Sequence, residues 1–134
     1  MVVEQMAIRC PGARLLGQAS LAAHAFLINE HGVATVVPRE GSTVWGVIWE
    51  ITTQHEKELD YYEGVRRGLY AKERVAVNCP GTGAVEALIY TATNQRSGLP
   101  RPGYLESIIA AASYHKLPSN YVEFLRGCLR SLAG

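Results

Sequence analysis

LYAKERVAVNCPGTGAVEALIYTAT, residues 69–93, carries two strand-like runs on either side of a Cys-Pro-Gly-Thr-Gly turn. The alternation in LYAKERVAV has the strand period, and AVEALIYTAT returns as its partner, so this stretch predicts an antiparallel hairpin. Such a pair needs further strands or a helix to cover its apolar face. Upstream, QASLAAHAFLIN within Gly17–Asn29 reads as a strand. VATVVP and TVWGVIWEI read as two more, joined by the turn-forming REGS into a first hairpin. Gly46 interrupts TVWGVIWEI, which predicts a β-bulge, or else a close approach by ligand or backbone.

Between the hairpins, Thr53 followed by Glu56 has capping-box spacing and predicts a helix from about Gln54 to a stop at Gly64. Leu59 and Glu63 lie four residues apart on it, so Glu63 should turn inward with the apolar face. VVEQMAIRC before Pro11-Gly12 has a short helical pattern. After the loop RSGLPRPG come two more helices, YLESIIAAASYHK and SNYVEFLRGCLRSL, the latter with Tyr121, Phe124, Leu125, Cys128 and Leu129 on one stripe. Strands in hairpins with helices gathered at the C-terminus indicate an α+β fold with a curved or closed sheet, built as a single domain over residues 1–134.

A hydrophobic fraction of 48% with 19% charged residues fits a chain that buries an ordinary core. A formal net charge of +1 makes no electrostatic case for nucleic acid or an anionic membrane, and favours small soluble partners. No apolar run approaches the roughly 20 residues of a membrane span, and the expected setting is cytoplasmic. Three cysteines, Cys10, Cys79 and Cys128, suggest neither a disulfide framework nor a zinc motif. Cys10 and Cys79 each adjoin Pro-Gly, yet neither has a helix start or cationic partner that would activate a thiolate. His24, His31, His55 and His115 lack ligand spacing, so no metal is expected. Gly81-Thr82-Gly83 is followed by a strand where a phosphate loop needs a helix N-terminus, so it reads as a hairpin turn.

Tyr70, Tyr90 and Tyr104 each fall near an element boundary, where a ring can pack while its hydroxyl reaches a cleft. Glu63 is the stronger signal. An inward carboxylate at a helix C-terminus loses hydration and meets the negative end of the helix dipole, and both effects favour its protonated form. Such a group suits proton exchange near neutral pH; the alternative is an ion pair with Arg66 or Arg67.

RCPGARLLGQA, GVATVVP, STVWGVIWEI, LDYYEGV, RGLY, ALIY, PGY and LPSNY resemble, in order and spacing, the γ-glutamylcyclotransferase-like (AIG2-like) proteins, over nearly the whole chain. The resemblance implies a small mixed, mainly antiparallel β-barrel flanked by helices. It also implies release of 5-oxoproline from a γ-glutamyl small molecule, without metal or cofactor. The glutamate of the family's LDxxEG motif, its acid/base residue, matches Glu63; pocket tyrosines match Tyr70, Tyr90 and Tyr104. Backbone N–H groups around Gly46 are candidates for binding the oxyanion.

One departure bears on binding. Family members begin with a strand ending in a Tyr-Gly-Ser-Asn loop, whose amides hold the γ-glutamyl group. MVVEQMAIRCPGA is what ordinarily follows that loop, so the expectation is a longer natural product read from an upstream start. A chain without that strand would leave an edge open to pairing with a second copy, giving a homodimer. The competing reading is a binding or protein-interaction module on the same scaffold; a cysteine-dependent hydrolase is a third.

Overall fold

The computed structural model describes residues 10–133, with side chains to Ser131. The helical expectation for VVEQMAIRC falls almost wholly outside the described residues. The elements run β1 (Arg14–Ile28), β2 (Ala34–Glu50), α1 (Thr53–Tyr62), a 3₁₀ turn (Val65–Arg67), β3 (Tyr70–Cys79), β4 (Gly83–Ala92), α2 (Tyr104–Tyr114) and α3 (Ser119–Ala133). The α+β expectation holds. The strands hydrogen-bond in the order β2-β1-β3-β4, and every pairing among the described residues is antiparallel. β2 and β4, the outer strands of that order, also touch without pairing. The barrel is therefore an incomplete one, curved but not closed by hydrogen bonds among the described residues.

The β3–β4 hairpin forms as read, in unbroken register from Tyr70↔Ala92 to Cys79↔Gly83, with the Thr82 N–H donating to the Cys79 carbonyl at 2.9 Å. The first expected hairpin does not form. VATVVP and TVWGVIWEI belong to one strand, β2, whose two halves both pair with β1, from Ile28↔Ala34 to Arg14↔Glu50. β1 has 15 residues, long enough to serve both halves. The REGS segment, Arg39–Ser42, bulges opposite Ala23, between the pairs His24↔Pro38 and Ala22↔Thr43. Ala23 sits at φ 58, in the left-handed region, where the strand yields to the bulge. Gly46, read as a bulge, pairs regularly with Ala19; the second irregularity falls between Leu15 and Gly17 instead.

α1 begins one residue earlier than its sequence signal. Thr52, in extended conformation, is the cap: its side chain accepts from the His55 N–H at 3.1 Å, and His55 Nδ1 accepts from the Thr52 N–H at 3.1 Å. Because Nδ1 accepts, the ring proton belongs on Nε2, which donates to the Pro11 carbonyl at 2.7 Å. The histidine thus performs the reciprocal role assigned to Glu56 and ties the chain entry to the helix. Glu63 caps the C-terminus and Gly64 turns left-handed at φ 67, where a Cβ would also stand 2.9 Å from Leu69 Cδ1.

Two apolar clusters hold helices to the sheet. Ala112, Tyr121, Val122 and Leu125 seat α2 and α3 against Phe26, Val44 and Trp45. Of the expected α3 stripe, Tyr121 and Leu125 are buried, but Phe124 is 50% exposed and stacks on Tyr121, while Val122 takes the inward place. Cys10 and Leu59 seat α1 against Trp49, Ile51 and Tyr90. Full burial of a leucine contributes about 1.5–3 kcal/mol, so Leu59 anchors the helix whose end bears Glu63.

Candidate functional site

α1 ends beside the start of β3 and the end of β4, because two left-handed glycines, Gly64 and Gly68, fold the chain back through the 3₁₀ turn. Glu63 is half-buried at the helix end, one turn after the buried Leu59, as expected from their spacing. Arg66 and Arg67 are exposed in the turn. Tyr70 opens β3 half-buried, and burial together with the charge of Glu63 and the neighbourhood of Tyr104 pushes its phenol up to about 12, against an opposing pull from Arg101. Glu63, Tyr70, Tyr104 and Arg101 therefore share one electrostatic neighbourhood.

Tyr104 is the first residue of α2, entered through left-handed Gly103, and its hydroxyl accepts from the Ala34 N–H at 3.0 Å. That bond ties the helix start to the beginning of β2. Tyr90, near the end of β4, is pinned from α1: its hydroxyl donates to Asp60 Oδ1 at 2.5 Å, with the Glu56 carbonyl oxygen at 3.4 Å. Lys72 Nζ donates to Asp60 Oδ2 at 3.0 Å and to Glu56 Oε2 at 2.5 Å. Burial opposes ionisation of Asp60, but the bonds from Tyr90 and Lys72 outweigh it and hold its carboxyl below the usual range. The bonds to Glu56 and Asp60 raise Lys72. Burial first, then Asp60, then the charges of Glu56 and Glu63, push Tyr90 well above an ordinary phenol.

Asp60, Lys72 and Arg101 are not singled out by the sequence, and Glu56 only as a helix cap, although the signal was there. Glu56, Asp60 and Glu63 recur at helical spacing, and Lys72 follows Tyr70 by two, on the same strand face. Gly46 borders two hollows. One, of about 290 Å³, lies under α2 and α3 with Tyr104. The other, of about 500 Å³, is an apolar space inside the curved sheet, running past Trp49, Ile51 and Leu59 to Tyr90. A Cβ at Gly46 would meet nothing within 4 Å, so a crowded backbone does not explain this glycine.

Among the other chemistries weighed, Cys10 is buried beneath α1, with His55's carbonyl 3.9 Å from its sulfur. Burial pushes the Cys128 thiol up, away from the reactive thiolate. No helix among the described residues is long and apolar enough to cross a membrane.

Three phenols held neutral have a consequence for stability. Tyr70 and Tyr121 are pushed up to about 12, and Tyr90 higher, mainly by burial. Above the ordinary phenol pKa of about 10 the unfolded chain has lost protons that the fold keeps. The stability these phenols contribute is therefore fully present below about pH 10 and is lost as pH rises toward 12. Thermal melts across that window should show a falling Tm, with a shallower fall in Tyr121→Phe; a flat Tm would contradict the assignment.

Residues 43–125 match the AIG2-like family. This chain belongs to the AIG2-like family. The matched segment contains Gly46, Glu63, Tyr70, Tyr90 and Tyr104. The AIG2-like chain is 34% identical over 95 residues to the gamma-glutamylcyclotransferase of Homo sapiens, and 33% identical over 95 residues to that of Mus musculus. Each alignment covers 71% of this chain and 50% of the relative, so the chain spans about half the length of the relatives it matches. Among solved structures, one described as a gamma-glutamyl cyclotransferase superposes with a TM-score of 0.86 at 28% identity, covering 93% of this chain and 80% of the other. The protein YkqA of Bacillus subtilis shares the fold, with a TM-score of 0.80 at 21% identity, covering 96% and 48%.

Proposed function

We propose that this single domain is a γ-glutamylcyclotransferase-type enzyme, releasing 5-oxoproline and a free amine or amino acid from a γ-glutamyl small molecule. The observation that carries the reading is a half-buried Glu63 in one electrostatic neighbourhood with Tyr70 and Tyr90, on a chain about one-third identical to proteins of that name.

The chemistry asks little of a protein. The substrate's α-amine attacks its own γ-carbonyl, a new C–N bond closes a five-membered lactam, and the original γ-amide C–N bond breaks. Proximity is supplied by the substrate itself. What remains is proton transfer, because an α-amino group with a pKa near roughly 8 is mostly protonated at neutral pH and the departing nitrogen leaves poorly as an anion. Glu63 takes the proton from the ammonium and returns one to the leaving nitrogen as the tetrahedral intermediate collapses. Tyr70, Tyr90 and Tyr104 are the proposed substrate contacts, with Tyr90 on the 500 Å³ hollow and Tyr104 on the 290 Å³ one, and backbone N–H groups near Gly46, which borders both, are the proposed donors to the developing oxyanion.

The test is a panel of free γ-glutamyl amino acids, γ-glutamyl amines and ε-linked γ-glutamyl-lysine, with 5-oxoproline measured directly. Release from at least one class is expected. A chain that is folded and inert toward all of them would sink the reading in favour of a binding module.

A further inference from the structure

Asp60 divides its two oxygens between different partners. Oδ1 accepts the Tyr90 hydroxyl at 2.5 Å and Oδ2 accepts from Lys72 Nζ at 3.0 Å. A phenol has one proton to donate. Among the described residues the other acceptor near the Tyr90 hydroxyl, the Glu56 carbonyl oxygen at 3.4 Å, would also take that proton rather than supply one. Tyr90 also borders the 500 Å³ hollow. Whatever else meets its oxygen finds lone pairs and no proton, so it must be a donor. The charge around the phenol has the same preference: the carboxylates of Asp60, Glu56 and Glu63 all act on Tyr90, while the Lys72 ammonium is taken up by Glu56 and Asp60.

We propose that Asp60 is a positioning residue that fixes the polarity of Tyr90, so that the Tyr90 oxygen accepts a hydrogen bond from the α-ammonium group of the substrate. This deepens the γ-glutamyl reading and rests on it for the substrate's identity. It assigns Tyr90 to the amine end of the substrate and excludes it as a donor to the oxyanion. It also gives Asp60 a reason to be ionised: a protonated Asp60 could no longer compel the phenol to donate.

The experiment uses two ligands that cannot cyclise, γ-sulfonamide analogues of a γ-glutamyl amine, one bearing the α-amino group and one with hydrogen in its place. Binding is measured by calorimetry on the full chain and on Tyr90→Phe, Asp60→Ala and Lys72→Met. A hydrogen bond to a charged group corresponds to about a tenfold to hundredfold preference for the amine-bearing ligand. That preference should be present in the parent, fall about tenfold or more in Tyr90→Phe and Asp60→Ala, where Glu63 alone still meets the ammonium, and persist in Lys72→Met, where the Tyr90–Asp60 bond remains. A purely structural role for the network would make Lys72→Met behave like Asp60→Ala. No amine preference in the parent, an unchanged preference in Tyr90→Phe, or equal weakening of both ligands would overturn the proposal. A parent that shows the Asp60-dependent preference yet releases no 5-oxoproline would overturn the γ-glutamyl reading and leave the polarity of Tyr90 standing.

Discussion

Glu63→Gln is expected to lower the rate of 5-oxoproline release by two or more orders of magnitude while leaving the fold intact. The size follows from the role: a positioned general acid/base contributes about 10² to 10⁴-fold, and glutamine has the shape of glutamate without an exchangeable proton of useful pKa. The fold should survive because the cap at this position is made by backbone. The Glu63 N–H donates to the Leu59 carbonyl at 2.8 Å, and the left-handed turn belongs to Gly64. Loss should appear in kcat, since the proton transfers occur after the substrate is bound, with KM changing little. Steady-state release at saturating substrate, beside a thermal melt, separates the two effects. A variant that keeps more than a tenth of the parent's kcat would remove Glu63 from the chemistry, whatever its position.

The half-buried place of Glu63 at the helix end was legible in the sequence because two local rules met there, the four-residue spacing from Leu59 and the glycine that follows. The β3–β4 hairpin was legible for the same reason, its period and turn lying within one stretch. What escaped was set by distant partners. The two halves of β2 look like a hairpin locally, and only the length of β1 shows that both can pair with one strand. Thr53 with Glu56 satisfies the capping pattern as well as Thr52 with His55. The difference is His55 Nε2, which reaches Pro11 across 44 residues. Phe124 fits the helical stripe but faces water, because Val122 and Leu125 already fill the space against the sheet. Asp60 and Lys72 look like ordinary surface charges until α1 and β3 are brought side by side. Charge networks between elements carry no local signature, and this one surrounds a tyrosine that the sequence did single out.

Asn29→Ala should be among the most damaging single changes away from Glu63, at about 3 kcal/mol of stability together with loss of activity. Asn29 is 1% exposed, in the turn between β1 and β2. Its Oδ1 accepts from the N–H groups of His31 at 3.0 Å and Val33 at 3.3 Å, and its Nδ2 donates to the Asn94 carbonyl at 3.0 Å. One side chain therefore shapes its own turn and fastens it to the segment that leads to α2. Truncation would leave three part-buried backbone groups without their side-chain partner, each at a cost of up to about 1–3 kcal/mol where water does not replace it. The same joint explains Gly98. A Cβ there would lie 2.5 Å from the Asn29 carbonyl oxygen and 2.7 Å from Glu30 Cα, both backbone atoms that cannot swing aside. Gly98→Ala should therefore act in the same direction through a different atom. The functional consequence follows along the chain: Arg101 donates from its backbone N–H to Gly32 and from Nε to His31 on this turn, and Tyr104 accepts from Ala34 at the start of β2 just after it. Loosening the turn should displace Tyr104 and Arg101 from Tyr70 while leaving Glu63 on its helix. Urea titrations and release kinetics on both variants would show lowered midpoints with raised KM. If both kept the parent's midpoint and KM, the joint would carry neither stability nor the placement of Tyr104.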